Sequence, residues 1–216
     1  MKLLHQQIRT LQKVVTRKGN SKALTFSMPH VLKSILYLSN QKYVSRASFC
    51  QELKIGEGAV RTLISHLKEY GLVDSIRAGT FLTSKGKKLA EKFCTIMPSQ
   101  TFLKKCCLTN GKHNYAVLLK SEHVDDIGNG MQQRDLAILY GASDSLTLIF
   151  KDGEFVFSGD QMRCFEEELE IRDNLIEVLE PKNEDVVIIT SSDDKFVAEI
   201  SAFNTIIGTL TIHENH

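Results

Sequence analysis

Apolar residues recur at helical spacing from the start of the chain. Leu4, Ile8, Leu11 and Val15 lie four, three and four apart, a stripe along one face of a helix over residues 2–17 with Arg9, Lys13 and Arg17 off it. The stripe either packs on its own domain or forms a short dimer helix of barely two heptads. Gly19-Asn20-Ser21 ends this element and a linker runs to residue 27. A second pattern fills residues 28–98. A helix starting near Pro29 buries Val31, Ile35, Leu36 and Leu38, with the proline placed where a first-turn N–H is dispensable. Ser45 caps a helix carrying Phe49, Cys50 and Leu53, and Ile55-Gly56-Glu57-Gly58 turns the chain. The next helix sets Val60, Leu63, Ile64, Leu67 and Tyr70 on one face and stops at Gly71. Leu72–Ile76 and Phe81–Thr83 read as two short strands about a turn at Ala78-Gly79, which places Ile76 opposite Phe81 and Arg77 opposite Thr80. Thr83 or Ser84 then caps a helix with Leu89, Ala90 and Phe93 inward, and Pro98 marks a boundary.

Residues 99–216 mix strand and helix signals. Phe102–Leu108 and Tyr115–Leu119 are expected strands, and Asp125–Tyr140 an expected helix whose start is weakened by Gly128 and Gly130. Asp152-Gly153 gives a strong hairpin signal inside Leu146–Phe157, pairing Phe150 with Phe155, Ile149 with Val156 and Lys151 with Glu154. Phe165–Leu179 is an expected helix, Asp185–Thr190 a buried strand, Lys195–Ala202 a helix and Ile206–Ile212 a closing strand. A faint echo between Ala137…Gly141…Leu146-Thr147-Leu148 and Ala198…Ala202…Leu210-Thr211-Ile212 suggests a duplicated helix–strand unit. The expected fold class is α+β, a winged helix-turn-helix followed by a small mixed α/β domain, with domains at 1–27, 28–98 and 99–216.

Composition sharpens this picture chiefly through charge. The 216 residues carry a net charge of only +1, yet the two halves are opposite. Up to Lys105 there are 19 Lys and Arg against 5 Asp and Glu; from Cys106 on there are 8 against 21. A basic half of net +14 calls for a polyanion, and nucleic acid is the commonest. The acidic half, at −13, would be repelled by the same partner. Five cysteines, two of them adjacent at Cys106-Cys107, argue for a reducing cytoplasmic setting rather than a disulfide framework. The longest aliphatic run, Val186–Ile189, is far below a membrane span, and the N-terminal apolar run breaks too early for a signal peptide.

The basic half carries the functional argument. A reading helix must bury one face and offer short polar or basic side chains from its first turns to the major groove. With Val60, Leu63, Ile64 and Leu67 inward, Gly58, Ala59, Arg61, Thr62 and Ser65 point outward. Arg61 is suited to bidentate contact with guanine, and Thr62 and Ser65 to bases or phosphates. Gly58 and Ala59 permit close backbone approach, and Arg77, Lys85, Lys87 and Lys88 suit flanking phosphates. Solvated lysines are the bland alternative, and protein or RNA interaction the competing uses of such a module. His66, near the helix middle, is a weaker candidate. The segment Leu82-Thr83-Ser84-Lys85-Gly86-Lys87-Lys88-Leu89 resembles the L-T-x-x-G-x-x-L stretch after the wing of many prokaryotic winged-helix regulators. Val60–Leu67 with Tyr70-Gly71-Leu72-Val73 resembles their recognition helix and its exit.

Most of residues 28–216, leaving the N-terminal helix outside, resembles an archaeal family of winged-helix transcriptional regulators with a C-terminal domain of uncharacterised function. Beyond the basic half, the likeness rests on Gly128–Ile138, Gly141-Ala142 and Asp185–Ile189, while Ser143-Asp144 and Ala202-Phe203 are bulkier or more polar than the family pattern. The resemblance implies a sequence-specific regulator of transcription that binds double-stranded DNA. One such module reads few base pairs, so a homodimer is expected, through the 4/8/11/15 stripe or an edge of the C-terminal sheet. Gln133, Arg134 and Asp135, adjacent near a helix start, are the candidate ligand-binding group for an unidentified small-molecule effector; a cap or ion pair is the plainer reading. His123, Asp125 and Asp126 with Cys106, Cys107 or His113 are too scattered for a metal site, and Cys106-Cys107 suits buried strand positions better than redox sensing. With no G-x-x-x-x-G-K, H-E-x-x-H or G-x-S-x-G motif, neither enzyme activity nor a cofactor is expected. The alternative is an enzyme or protein-interaction module with an appended winged helix.

Overall fold

The computed structural model describes residues 2–16, 23–122 and 127–211 and divides the chain into two compact units, Met1–Phe93 and Cys94–His216. It is of mixed α/β character, with two separate antiparallel sheets. The division falls inside the helix that precedes Pro98 rather than after it, and the N-terminal helix belongs to the first unit.

In the first unit, α1 (Lys2–Val15) lies against α2 (Met28–Ser39) and α4 (Glu57–Glu69). Ile8, Leu11 and Val14 are fully buried there, so the stripe is covered by its own domain, and its last contact is Val14 rather than Val15. The expected Gly19-Asn20-Ser21 break lies outside the described residues. Ser45 caps α3 (Arg46–Leu53) by accepting the Ser48 N–H at 3.0 Å. Val60, Leu63, Ile64 and Leu67 form the buried face of α4, and Gly71, at φ +67°, reverses the chain while the Leu72 N–H donates to the Leu67 carbonyl. The ribbon β1 (Val73–Ile76) and β2 (Gly79–Leu82) follows, then α5 (Ser84–Ile96). Gly86 lets α5 approach, since a Cβ there would stand 2.0 Å from the Leu72 carbonyl oxygen.

The ribbon's register differs from expectation. Ile76 pairs with Gly79 and Asp74 with Phe81, so the turn is Arg77-Ala78 and not Ala78-Gly79. The reason is a third backbone. Val44 exchanges two hydrogen bonds with Thr80, at 2.8 and 2.9 Å, and a Cβ on Gly79 would lie 2.7 Å from the Val44 carbonyl oxygen. Glycine is needed for that crossing, at φ +141°, rather than for the turn.

The second unit is a five-stranded antiparallel sheet of order β3-β4-β7-β5-β6, comprising β3 (Gln100–Leu103), β4 (His113–Leu119), β5 (Asp144–Lys151), β6 (Glu154–Phe157) and β7 (Val186–Ser192). Alternation along the strands feeds two cores. Ala116, Leu118, Leu148, Val187 and Ile189 face α7 (Leu169–Leu179), with Leu175 and Leu179. Tyr115 on the opposite face meets Phe203 of α8 (Lys195–Thr211) at 6.0 Å, and Thr190 donates to the Ala198 carbonyl. α6 (Met131–Ile138) packs on α8 and β5.

The β5–β6 hairpin has the expected register, with Asp152 and Gly153 both at positive φ as a two-residue turn requires. Four other elements depart from expectation. The strand expected over Phe102–Leu108 is β3, Gln100–Leu103, so Cys106 and Cys107 lie beyond its end and Cys107 is exposed rather than buried in a strand. The strand expected over Ile206–Ile212 is absent from its described part: α8 continues through residues 206–211, and the apparent duplication disappears with it. α8 is buried between sheet and α6, so it is apolar nearly all round and its β-branched residues mimic a strand. The Ser201 and Thr205 hydroxyls are satisfied by the carbonyls of Val197 and Ser201. α7 starts four residues late because Phe165, at φ +62°, leaves helical geometry to place its ring against Phe155. α6 begins only after Gly130, which sits at φ +81°.

Candidate functional site

The stretch of α4 from Arg61 to Lys68, the start of α3 and the β1–β2 ribbon enclose a groove of about 630 Å³. Arg46, Arg61, Lys68 and Arg77 line it together with Ser65 and Ser75. Four cations converge because three local rules coincide. The Ser45 cap sets Arg46 at the first position of α3, Arg61 and Lys68 lie seven apart on one face of α4, and the two-residue turn carries Arg77 at the ribbon tip. Arg61, Ser65 and Arg77 were expected from the sequence. Arg46 and Lys68 were not, although the seven-residue interval from Arg61 to Lys68 would have revealed the second.

The other candidates lie apart from the groove's lining. Gly58 is exposed on the first turn of α4, with open space around it. Ala59 and Thr62 are half-buried, and the Thr62 hydroxyl donates to the Gly58 carbonyl of its own helix at 3.1 Å. Lys85, Lys87 and Lys88 are exposed on α5; the Lys85 ammonium donates to the Tyr70 carbonyl at 2.7 Å, at the far end of α4. His66 is structural: its Nδ1–H donates to the Val14 carbonyl at 2.7 Å and its ring meets Phe26 edge-on. Two carboxylates stand among the cations, Asp74 with its Oδ1 3.3 Å from Lys68 Nζ, and Glu57. Glu57 accepts from Arg61 Nη2 at 2.7 Å and lies 3.9 Å from Arg46 Nη1. The Arg61 hydrogen bond and charge hold the Glu57 carboxyl below its usual range and raise the guanidinium in turn. Both groups are exposed, so the pair contributes little stability and exchanges easily for another anion.

In the second unit the expected trio separates. Gln133 is fully buried, its Nε2 donating to Thr209 Oγ1 at 3.2 Å and its Oε1 without a partner. Asp135 faces solvent. Arg134 alone opens on a cleft of about 260 Å³, with its Nε 3.9 Å from Asp144 Oδ1. A helix spreads adjacent residues by about 100°, which is why three consecutive polar side chains cannot share one site. Ile138, although apolar, is also exposed.

His123, Asp125 and Asp126 lie outside the described residues. Among the described residues no group of three or more His, Cys, Asp or Glu could hold a metal ion. Cys106 is buried beside Thr109, and the neighbouring Cys107 thiol donates to Glu168 at 3.1 Å, which holds its pKa above the ordinary thiol value. Burial pushes the Cys164 thiol up to about 12. Neither Cys107 nor Cys164 has the thiolate character redox sensing needs. Among the described residues no helix is long and apolar enough to cross a membrane.

Residues 31–88 match the family model of the PH0730-like N-terminal domain, and residues 110–210 match a domain of unknown function, DUF4443. The chain is similar in structure to a hypothetical protein, PH0730, from Pyrococcus horikoshii OT3, with 25% identity and a TM-score of 0.66 over 88% of this chain and 95% of that one. Together these matches support an archaeal family whose C-terminal domain is uncharacterised. No curated protein matches the chain.

Proposed function

We propose that this chain is a sequence-specific DNA-binding regulator of transcription, in which the first unit acts as a winged helix. In this reading α4 enters the major groove, Arg61 and Ser65 reach base edges, and the β1–β2 ribbon lies along the neighbouring phosphates with Arg77 at its tip. One observation carries the reading: the α4–ribbon groove is lined by four cations, Arg46, Arg61, Lys68 and Arg77. The +14 charge of the basic half and the exposed Lys87 and Lys88 support it. Glu57 pairs with Arg61 in the free protein, and a guanine O6/N7 edge offers the guanidinium two acceptors in its place. The acidic half stays clear of the duplex and serves dimerisation or effector control; because α2 and α4 cover the α1 stripe, a homodimer would use an edge of the C-terminal sheet, at β3 or β6.

The test is fluorescence anisotropy of the full chain on a mixed-sequence duplex. Three to four phosphate contacts imply roughly 40- to 150-fold weaker binding between about 50 and 200 mM salt. Binding that is absent at 50 mM, or indifferent to salt, would sink the proposal.

A further inference from the structure

The cleft beside α6 has the composition of a binding site for a small zwitterion. Its rim is the start of α6, where the chain adopts φ +81° at Gly130, which offers no side-chain cap, and where Asn129 Oδ1 accepts the Met131 N–H at 3.2 Å. A Cβ on Gly130 would meet Ser158 Oγ at 2.8 Å and Thr147 Cβ at 3.1 Å, so the turn after β6 closes directly against the helix start. Such a helix terminus favours a carboxylate, and Arg134 lines the same cleft from the first turn. The 3.9 Å from Arg134 to Asp144 is too long for a hydrogen bond, so that contact leaves the guanidinium donors available. Opposite in charge is Asp160, which also lines the cleft and accepts the Met162 N–H at 2.9 Å.

A second observation points independently to a ligand. Ser145, only 7% exposed, lines the cleft from β5, and its hydroxyl has no hydrogen-bond partner. Strand positions facing a core normally carry apolar residues, and a buried hydroxyl left unpaired is costly unless something outside the chain satisfies it. Phe157 adds apolar lining. At about 260 Å³ the cleft lies below the range of drug-sized ligands.

We infer that this cleft binds a free amino acid, its carboxylate held by the α6 N-terminus, Arg134 and Ser145, and its ammonium by Asp160. A plain anion fits less well, because Asp160 would oppose it. The inference concerns binding alone and stands whether or not the first unit binds DNA.

The experiment is a thermal-shift and calorimetric screen of the full chain against the common amino acids singly at 10 mM, each beside its N-acetyl and amide derivatives. A bound amino acid at about 100 times its Kd raises the melting temperature by roughly 5–10 °C, while both derivatives, each lacking one charge, leave it unchanged. Ser145→Ala and Arg134→Gln then weaken binding at least tenfold, and Asp160→Asn removes the preference over the N-acetyl form. Ser145→Ala without ligand keeps or raises the melting temperature, which shows that its loss of binding is not a loss of fold. Three results overturn the inference: no amino acid shifts melting, the N-acetyl derivatives or acetate shift it equally, or the Ser145 and Arg134 variants bind like the wild type.

Discussion

Gly79→Ala probes the crossing of Val44 over the ribbon. At φ +141° an L-residue is strained by roughly 1–3 kcal/mol. The new Cβ would stand 2.7 Å from the Val44 carbonyl oxygen and 3.0 Å from its carbon, so backbone rather than a side chain must give way. Moving it weakens both hydrogen bonds between Val44 and Thr80, each contributing about 1 kcal/mol. The sum is about 3–5 kcal/mol. For a unit of this size that lowers the melting temperature by roughly 15–25 °C. Circular dichroism melts give the first number, and amide exchange at Val44 and Thr80 locates the damage. Gly58→Ala is the internal control. Gly58 is helical with nothing within 4 Å of a Cβ, and the substitution should stabilise by about 0.5–1 kcal/mol. A Gly79→Ala protein within about 1 kcal/mol of wild type, with both amides still protected, refutes the crossing.

Burial, aided by Lys33, depresses the His30 pKa from 6.5 to about 4. The unfolded chain therefore binds a proton between those values that the folded chain does not, so stability of the first unit is full above about pH 6.5 and declines as pH falls toward 4. The loss should be about 2 kcal/mol after allowance for partial exposure, and His30→Asn should flatten the slope in denaturant titrations at several pH values. Asp185 is buried and accepts from Lys120 Nζ at 3.0 Å and from the Ser121 and Lys182 N–H groups at 2.9 Å each, so Asp185→Ala should cost about 3–5 kcal/mol by urea melts; a loss under 1 kcal/mol would show that the clamp carries little. Lys68→Ala should weaken DNA binding evenly across sequences and lower the salt slope by about one phosphate, whereas an unchanged slope removes Lys68 from the interface.

What the sequence displayed depended on how local the determinants were. The β5–β6 hairpin was readable to the residue because Asp152-Gly153 and the Phe150–Phe155 pair settle it without outside help. The same reasoning misplaced the β1–β2 turn by one residue, and so its pairing register by two, because the deciding contact, Val44, lies some 35 positions away. Length misled in α8: a buried helix and a buried strand carry the same aliphatic residues, and only the burial of Ile206, Ile207 and Leu210 between two layers separates them. The late start of α7 reflects one ring, Phe165, seeking the core. At the candidate sites, the outward face of α4 followed from its apolar stripe, so Arg61 and Ser65 were found. Arg46 belongs to a different helix and joins them only through the fold. Adjacent numbering wrongly grouped Gln133, Arg134 and Asp135, which the helix turns in three directions. Ser145 is legible only as an anomaly, a small polar residue facing inward on a half-apolar strand.

Selection from a random duplex pool by the full chain tests the central proposal most directly. The account expects an enriched motif containing a guanine whose preference relaxes in the pool selected by Arg61→Ala, at a cost of about 1–3 kcal/mol on the wild-type site. A pool without enrichment, or the same motif at the same affinity from both proteins, would contradict the reading of α4 as a DNA-reading helix.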